Sequence, residues 1–291
     1  MKARTSFTLC AFIVLGFVSC AYKMEDEKVP ITTSSEESRK EFLEGRSLAE
    51  KLLATESIQH FDRAIALDSN FAAAYLNRAN VSFIAKDFFS YLKKAAALSH
   101  RCSEGERLLI LAAEAGAYGK LSEQKEYLES LLTMYPHDER VQFAVGGYYF
   151  GIQDYTQAIE HYRNAVQIAP EYSPVYNILG YAYRQIENYP EAEKSFKKYT
   201  ELIPDDPNPY DSYAELLMKT GRFDESIASY QKALAIDPSF VASRIGIAAN
   251  YMYKGMHEKG AAALETLFSL ARNDGERRTK HFIQAVLYVD A

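Results

Sequence analysis

Proline stands at 136, 170, 204 and 238, three successive intervals of 34 residues. The text before each proline repeats as well. Ala158-Ile159-Glu160-His161-Tyr162-Arg163-Asn164-Ala165 precedes Pro170, and Ser226-Ile227-Ala228-Ser229-Tyr230-Gln231-Lys232-Ala233 precedes Pro238. A fixed period of this length means one supersecondary unit copied along the chain, each copy burying its apolar face on the next. Within a copy the spacing is helical: Tyr155, Ile159, Tyr162 and Val166 recur at four, three and four, which lays them on one face. Turn signals such as Gln153-Asp154-Tyr155 and Thr220-Gly221-Arg222-Phe223 separate two helices within each copy.

Aligned on this period, the chain divides at 38–71, 72–104, 105–138, 139–172, 173–206, 207–240 and 241–274. Position 8 of each copy is small: Gly45, Ala79, Ala112, Gly146, Gly180, Ala214 and Ala248. Position 24 is mostly large, reading Phe61, Ala95, Leu128, Tyr162, Phe196, Tyr230 and Leu264. A small residue on the first helix lets the second approach to van der Waals range, and a ring at 24 fills the gap. Proline at 32 cannot continue the second helix and resets the chain direction. The second copy is degenerate: it lacks the proline, is one residue short, and carries Lys93-Lys94-Ala95-Ala96-Ala97 where the ring belongs. Its Ser99-His100-Arg101-Cys102-Ser103-Glu104 stretch is expected to alter the local superhelix.

The small residue at 8, the aromatic at 24, alanine at 27 and proline at 32 resemble the tetratricopeptide repeat (TPR) family, most completely in the fourth and sixth copies. The resemblance implies an all-α, right-handed α-solenoid of about seven helix-turn-helix repeats. It also implies a scaffold for protein–protein interaction rather than an enzyme.

The first residues read as a targeting segment. Lys2 and Arg4 precede a short apolar run over 7–18, a charged region and a hydrophobic region in the order of a secretory signal peptide at 1–19. The run ends in Gly16-Phe17-Val18-Ser19-Cys20, which resembles a bacterial lipobox and implies lipidation of Cys20, although Phe17 replaces the usual leucine. Cleavage after Ala21 and an uncleaved anchor remain open. Residues 20–37 are polar, with Glu25-Asp26-Glu27-Lys28 and Thr32-Thr33-Ser34-Ser35-Glu36-Glu37, and are expected to be an unfolded tether. At the other end, Phe282, Ala285, Val286 and Tyr288 lie on one more helix over 275–291, either a cap or the first half of a cut eighth repeat.

Composition narrows the partners. The formal charge is −6, from 33 basic and 39 acidic residues; loss of Lys2 and Arg4 with a leader would make it 31 against 39, or −8. Such a chain gains little from phosphate backbones, so no nucleic acid is expected. Of three cysteines, Cys10 would leave with the leader and Cys20 would carry lipid, which leaves Cys102 without an intramolecular disulfide partner.

Catalytic patterns are absent. His60, His100, His137, His161, His257 and His281 are scattered, and His257-Glu258 lacks the second histidine of a zincin because Ala261 stands there. No CxxC occurs, and Gly146 and Gly151 have P-loop spacing but are followed by Ile152 and Gln153. No metal or cofactor is expected.

The family resemblance implies a concave groove lined by the first helices at positions 2, 5, 9, 12 and 13. Carried onto this chain, those positions give Leu76, Asn80, Phe83 and Ile84, then Leu109 and Ala113, then Arg140, Phe143, Gly147 and Phe150. Further along they give Asn177, Tyr181, Arg184 and Gln185, then Asp211, Glu215, Met218 and Lys219, then Ile245, Met252 and Tyr253. Phe143, Phe150, Tyr181 and Arg184 are expected to share one groove. Alternatively, half of the apolar set packs inside a tight superhelix or under the N-terminal segment. Asn80 and Asn177 are not joined by basic residues in adjacent repeats, so the family's clamp for a terminal carboxylate is not expected. Two functions stay open: a membrane-tethered scaffold for an extended peptide or helix of a protein client, and a positioning module for a C-terminal domain outside this sequence.

Overall fold

The computed structural model describes residues 27–270. The leader, Cys20 and the helix expected over 275–291 lie outside the described residues. Within them the chain is all-α, with fourteen α-helices and no strand. The described residues divide into two compact units, with the boundary between Ala169 and Pro170.

The first unit holds four helix pairs: α1 (Glu36–Glu50) with α2 (Ala54–Leu67), α3 (Ala72–Asn80) with α4 (Ala85–Leu98), α5 (Glu104–Ala117) with α6 (Leu121–Met134), and α7 (Glu139–Gly151) with α8 (Tyr155–Ile168). The second holds three: α9 (Ser173–Gln185) with α10 (Tyr189–Leu202), α11 (Pro207–Lys219) with α12 (Phe223–Ile236), and α13 (Val241–Tyr253) with α14 (His257–Leu270). Each repeat over 38–270 is therefore one antiparallel pair, and in each unit successive pairs stack as a tandem solenoid.

Local chemistry explains the ends. Ser103 and Glu106 form a reciprocal capping box on α5, and Asp138 accepts from the amides of Arg140 and Val141 to cap α7. Pro174, Pro190 and Pro207 sit in the first turns of α9, α10 and α11, where the missing N–H costs nothing. The turn from first to second helix passes through the left-handed region at Gly119, Gly221 and Gly255, and also at Leu52, Gln153 and Glu187. Asn80, Val81 and Ser82 are poor helix formers in succession, and α3 stops after nine residues where its counterparts run thirteen to fifteen.

The small-to-ring contact is the packing rule of the array. A Cβ built on Gly146 would lie 2.5 Å from the Tyr162 ring, one on Gly180 2.7 Å from the Phe196 ring, and one on Gly45 3.0 Å from the Phe61 ring. Phe61, Tyr162, Phe196 and Tyr230 are all buried. In the degenerate second repeat Ala95 occupies the ring position, and Leu92 and Ile110 fill the core there, flanked by Phe88 and Tyr91. A 3₁₀ turn at Ser99–Arg101 then takes the place of the proline break.

One expectation is corrected. Residues 28–35 are not an unfolded tether but a strap along the inter-repeat turns of the first unit. The amide of Val29 donates to Asp138 Oδ2 at 2.9 Å, and that of Thr32 to Glu106 Oε1 at 2.9 Å. Thr33 Oγ1 and the Ser34 amide both donate to Asp68 Oδ2, at 2.7 and 2.9 Å. Lys28 pairs with Glu139, while Val29 and Ile31 pack against two of the hydrophobic clusters. The segment is too polar to fold alone. Carboxylates at three successive inter-repeat junctions accept the amides of Val29, Thr32 and Ser34, and two aliphatic side chains anchor it.

Candidate functional site

The first helices carry the positions that the family resemblance assigns to a groove, and the two units treat them differently. In the first unit Leu76 is buried in the core, and Asn80 is exposed at the end of α3. Because α3 ends there, Phe83 (73% exposed) and Ile84 (55% exposed) lie in the following turn and not on a groove-lining helix. Leu109 and Ala113 pack against buried core residues. Arg140 is tied to Glu50 at 2.6 Å and to Glu139, so it does not stand free in a groove. Phe143 lies against Tyr162, with ring centroids 5.9 Å apart, and Phe150 meets the edge of Tyr155 at 5.4 Å. Much of this set is thus consumed by packing and ion pairs. Phe143 and Phe150 belong to the first unit and Tyr181 and Arg184 to the second.

The second unit keeps an open groove. A cavity of about 710 Å³ is framed by α9, α11 and α13, with Arg184, Asp211, Glu215, Met218, Ile245 and Tyr253 among its lining residues. Helical spacing brings Asp211, Glu215 and Met218 to one side of α11, at intervals of four and three. Tyr181 donates its hydroxyl to Glu215 at 3.2 Å, Arg184 reaches the same oxygen at 3.0 Å, and the Arg184 guanidinium stacks over the Tyr181 ring at 4.9 Å. Tyr181 also meets the edge of Phe196 at 5.1 Å, so it is held from below. Burial raises the Tyr181 phenol to about 12, and it stays a donor at neutral pH. Asn177 is half-buried on the same helix. Met252 is corrected: it is 3% exposed and packs on Gly260 of α14, because position 12 of this helix turns inward.

Asp211 is the least ordinary group in the groove. It is 6% exposed, its Oδ1 accepts the Ser243 hydroxyl at 2.7 Å, and burial raises its carboxyl to about 6. Its own sequence carries no sign of this. A charged residue at a first-helix position reads as groove-facing and wetted, whereas here Tyr230, Ala242 and Gly246 crowd the floor. The close approach of Gly246 to the Tyr230 ring, 2.1 Å from where a Cβ would stand, lets α13 come down on this floor. Among the described residues, no group of three or more His, Cys, Asp or Glu side chains could hold a metal ion.

The fold and the groove meet known proteins at this point. A tetratricopeptide repeat family matches residues 150–216, and another of the same description matches 207–240. Over residues 150–240 the chain is similar to tetratricopeptide repeats. A small glutamine-rich TPR-containing protein 2 of Mycosarcoma maydis is 32% identical over 108 residues, which is 37% of this chain and 30% of that protein. A peroxisomal targeting signal receptor of Kluyveromyces lactis is 28% identical over 115 residues, covering 39% of this chain and 20% of the receptor. The chain therefore spans less than a third of the length of these curated relatives. Among solved structures, the crystal structure of the APC/C hetero-tetramer Cut9-Hcn1 aligns with a TM-score of 0.53 at 19% identity, over 81% of this chain and 45% of that one. That likeness concerns the fold: an all-α solenoid of stacked helix pairs.

Proposed function

We propose that this chain is a non-catalytic TPR scaffold that holds a protein client, as an extended peptide or a helix, against the first helices of its second unit. The observation that carries the reading is the open groove of about 710 Å³ between α9, α11 and α13, with apolar walls and a few polar groups. Its aromatic and arginine side chains are the types that anchor interfaces. A similar protein is named as the receptor of a peroxisomal targeting signal, which supports reading this chain as a binding protein.

The test is photo-crosslinking from single positions in the cells that make the protein. A crosslinker at Met218 or Ile245 should capture one discrete partner, and one at the exposed Lys232 of α12 should not. Equal capture from all three positions would overturn the groove as the client site.

We further propose that the protein is exported and carries lipid at Cys20, on the strength of Lys2, Arg4, the apolar run over 7–18 and Ser19-Cys20. Mass spectrometry of the membrane fraction should find a diacylglyceryl group on the N-terminal cysteine. A mature soluble form beginning at Tyr22 would overturn lipidation.

A further inference from the structure

The groove of the second unit contains a charge that the fold leaves unanswered. Arg184 is committed to Glu215 and stacked on Tyr181, and Asp211 has its Ser243 hydrogen bond but, among the described residues, no ion pair. A carboxylate this deeply buried with no countercharge is costly, and the cost is returned when a cation arrives with its own partners satisfied. The remaining walls suit the stem of a long basic side chain. Met218 and Ile245 offer aliphatic surface, and Phe223 stacks with Tyr253 at 6.1 Å to give an aromatic face near the mouth.

Resting on the reading of this groove as the client site, we propose that it recognises a lysine or arginine side chain of the client, seated against Asp211 and flanked by apolar residues. Charge complementarity selects the occupant. The lining carries Arg184 and Lys219 against Glu187, Asp211 and Glu215, an excess of one negative charge, so the charge it lacks is positive. An acidic peptide would meet Asp211, Glu215 and Glu187 and be repelled.

The seating is proton-linked. The charged and titratable groups lining the groove with Asp211 are Glu215 and Lys219 on its own helix, Arg184 on α9 with Glu187 just beyond it, Tyr230 on α12, and Tyr253 on α13. Tyr181 joins them through Glu215, and Arg244, beside Ser243 on α13, donates to the Pro238 carbonyl. Burial, with Glu215 adding to it, sets Asp211 to about 6, so the carboxylate is charged at neutral pH and discharged on mild acidification.

The experiment uses the full chain and end-capped, fluorescein-labelled peptides of sequence Ala-Leu-X-Leu-Ala, with X lysine, arginine, norleucine or glutamate, read by anisotropy. At pH 7.5 the lysine and arginine peptides should bind about tenfold tighter than the norleucine peptide. That preference should fall to within about twofold in Asp211→Asn, which keeps an oxygen for Ser243, and in the wild type at pH 5. Ser243→Ala, which keeps the charge, should retain it, so the proposal is still tested if Asp211→Asn does not fold. Equal or tighter binding of the norleucine peptide would overturn the cation and leave the groove as an apolar peptide site. A preference for glutamate would also overturn it, and failure of all four peptides to bind at about 1 mM would remove both the cation and the groove reading.

Discussion

Arg140 at the start of α7 reaches Glu50 at the end of α1, ninety positions earlier, with Nε and Nη2 at 3.0 and 2.6 Å from one carboxylate oxygen. Glu139 also bonds Arg140, and Arg46 lies in the same charge field. Burial, with Arg140 acting in the same direction, lowers Arg46 from its usual value. The pair joins the first repeat to the fourth, so, like the strap, it adds a long-range contact to a fold built mainly from neighbours. Both side chains are partly exposed. A double-mutant cycle of Glu50→Gln and Arg140→Gln in urea unfolding should therefore return a coupling of only about 1 kcal/mol, shrinking as salt is raised.

Gly146 and Gly147 are adjacent and should respond in opposite directions. Alanine at 146 would drive a methyl into the Tyr162 ring, whereas nothing lies within 4 Å of a Cβ at 147. Gly146→Ala should cost about 1–3 kcal/mol by overpacking. Gly147→Ala, in a helix and exposed, should stabilise by about 0.5–1 kcal/mol. Thermal unfolding of the two variants separates the effects. No loss from Gly146→Ala would mean that the pair of helices is not packed through position 8.

The strap should leave when its carboxylates are protonated. Burial pushes Asp68 up, but donors from Thr33, Ser34 and Asn70 outweigh it and hold the carboxyl below its usual value. Glu139 is likewise pushed up by burial and brought low by Lys28 and Arg140. A depressed carboxylate lends stability that is present above its ordinary pKa and lost as pH falls through its folded value. Hydrogen exchange, corrected for the intrinsic rate, should show residues 29–34 protected at pH 7 and released in strong acid before the helices open. Asp68→Ala should release Thr33 and Ser34 at pH 7 at a cost of about 1–3 kcal/mol.

Asp211 should give the opposite pH signature. A carboxyl raised to about 6 favours the folded state below its ordinary pKa, and this favour is lost as pH rises through 6. Asp211→Asn should therefore stabilise the protein by about 1–3 kcal/mol at pH 8 and leave it unchanged near pH 3.5. Glu193 runs the other way. Burial opposes its charge, but Lys197, Tyr213 and Arg222 bring it to about 2, so its contribution holds at neutral pH and disappears in acid. Unfolding midpoints of Asp211→Asn and Glu193→Gln between pH 3.5 and 8 would show the two slopes; parallel curves would exclude them.

Cys102 should be slow. Burial, with Glu106 adding to it, raises the thiol to about 11, and its Sγ donates to the Ser99 carbonyl at 3.2 Å. Alkylation by iodoacetamide at pH 8 should lag free cysteine by about a hundredfold, because so little thiolate is present. A rate equal to that of free cysteine would show an open thiol.

What the sequence determined by itself was the part of the fold that repeats. The proline interval, the small residue at 8 and the ring at 24 locate the helix pairs because each pair is specified within one period and packs on its neighbour. Gly146 on Tyr162 and Gly180 on Phe196 follow from that spacing alone. Tertiary structure decided whatever depends on partners far along the chain. Residues 28–35 are polar enough to read as a tether, and only the alignment of Asp68, Glu106 and Asp138 along one edge turns them into a strap. Arg140 reads as a groove residue until Glu50 is brought beside it, and Phe83 does so until α3 stops early. Asp211 reads as wetted until α13 descends on it through Gly246. A period encodes contacts between neighbouring repeats. Burial and charge pairing at a groove are sums over several repeats, and those sums exist only once the array is assembled.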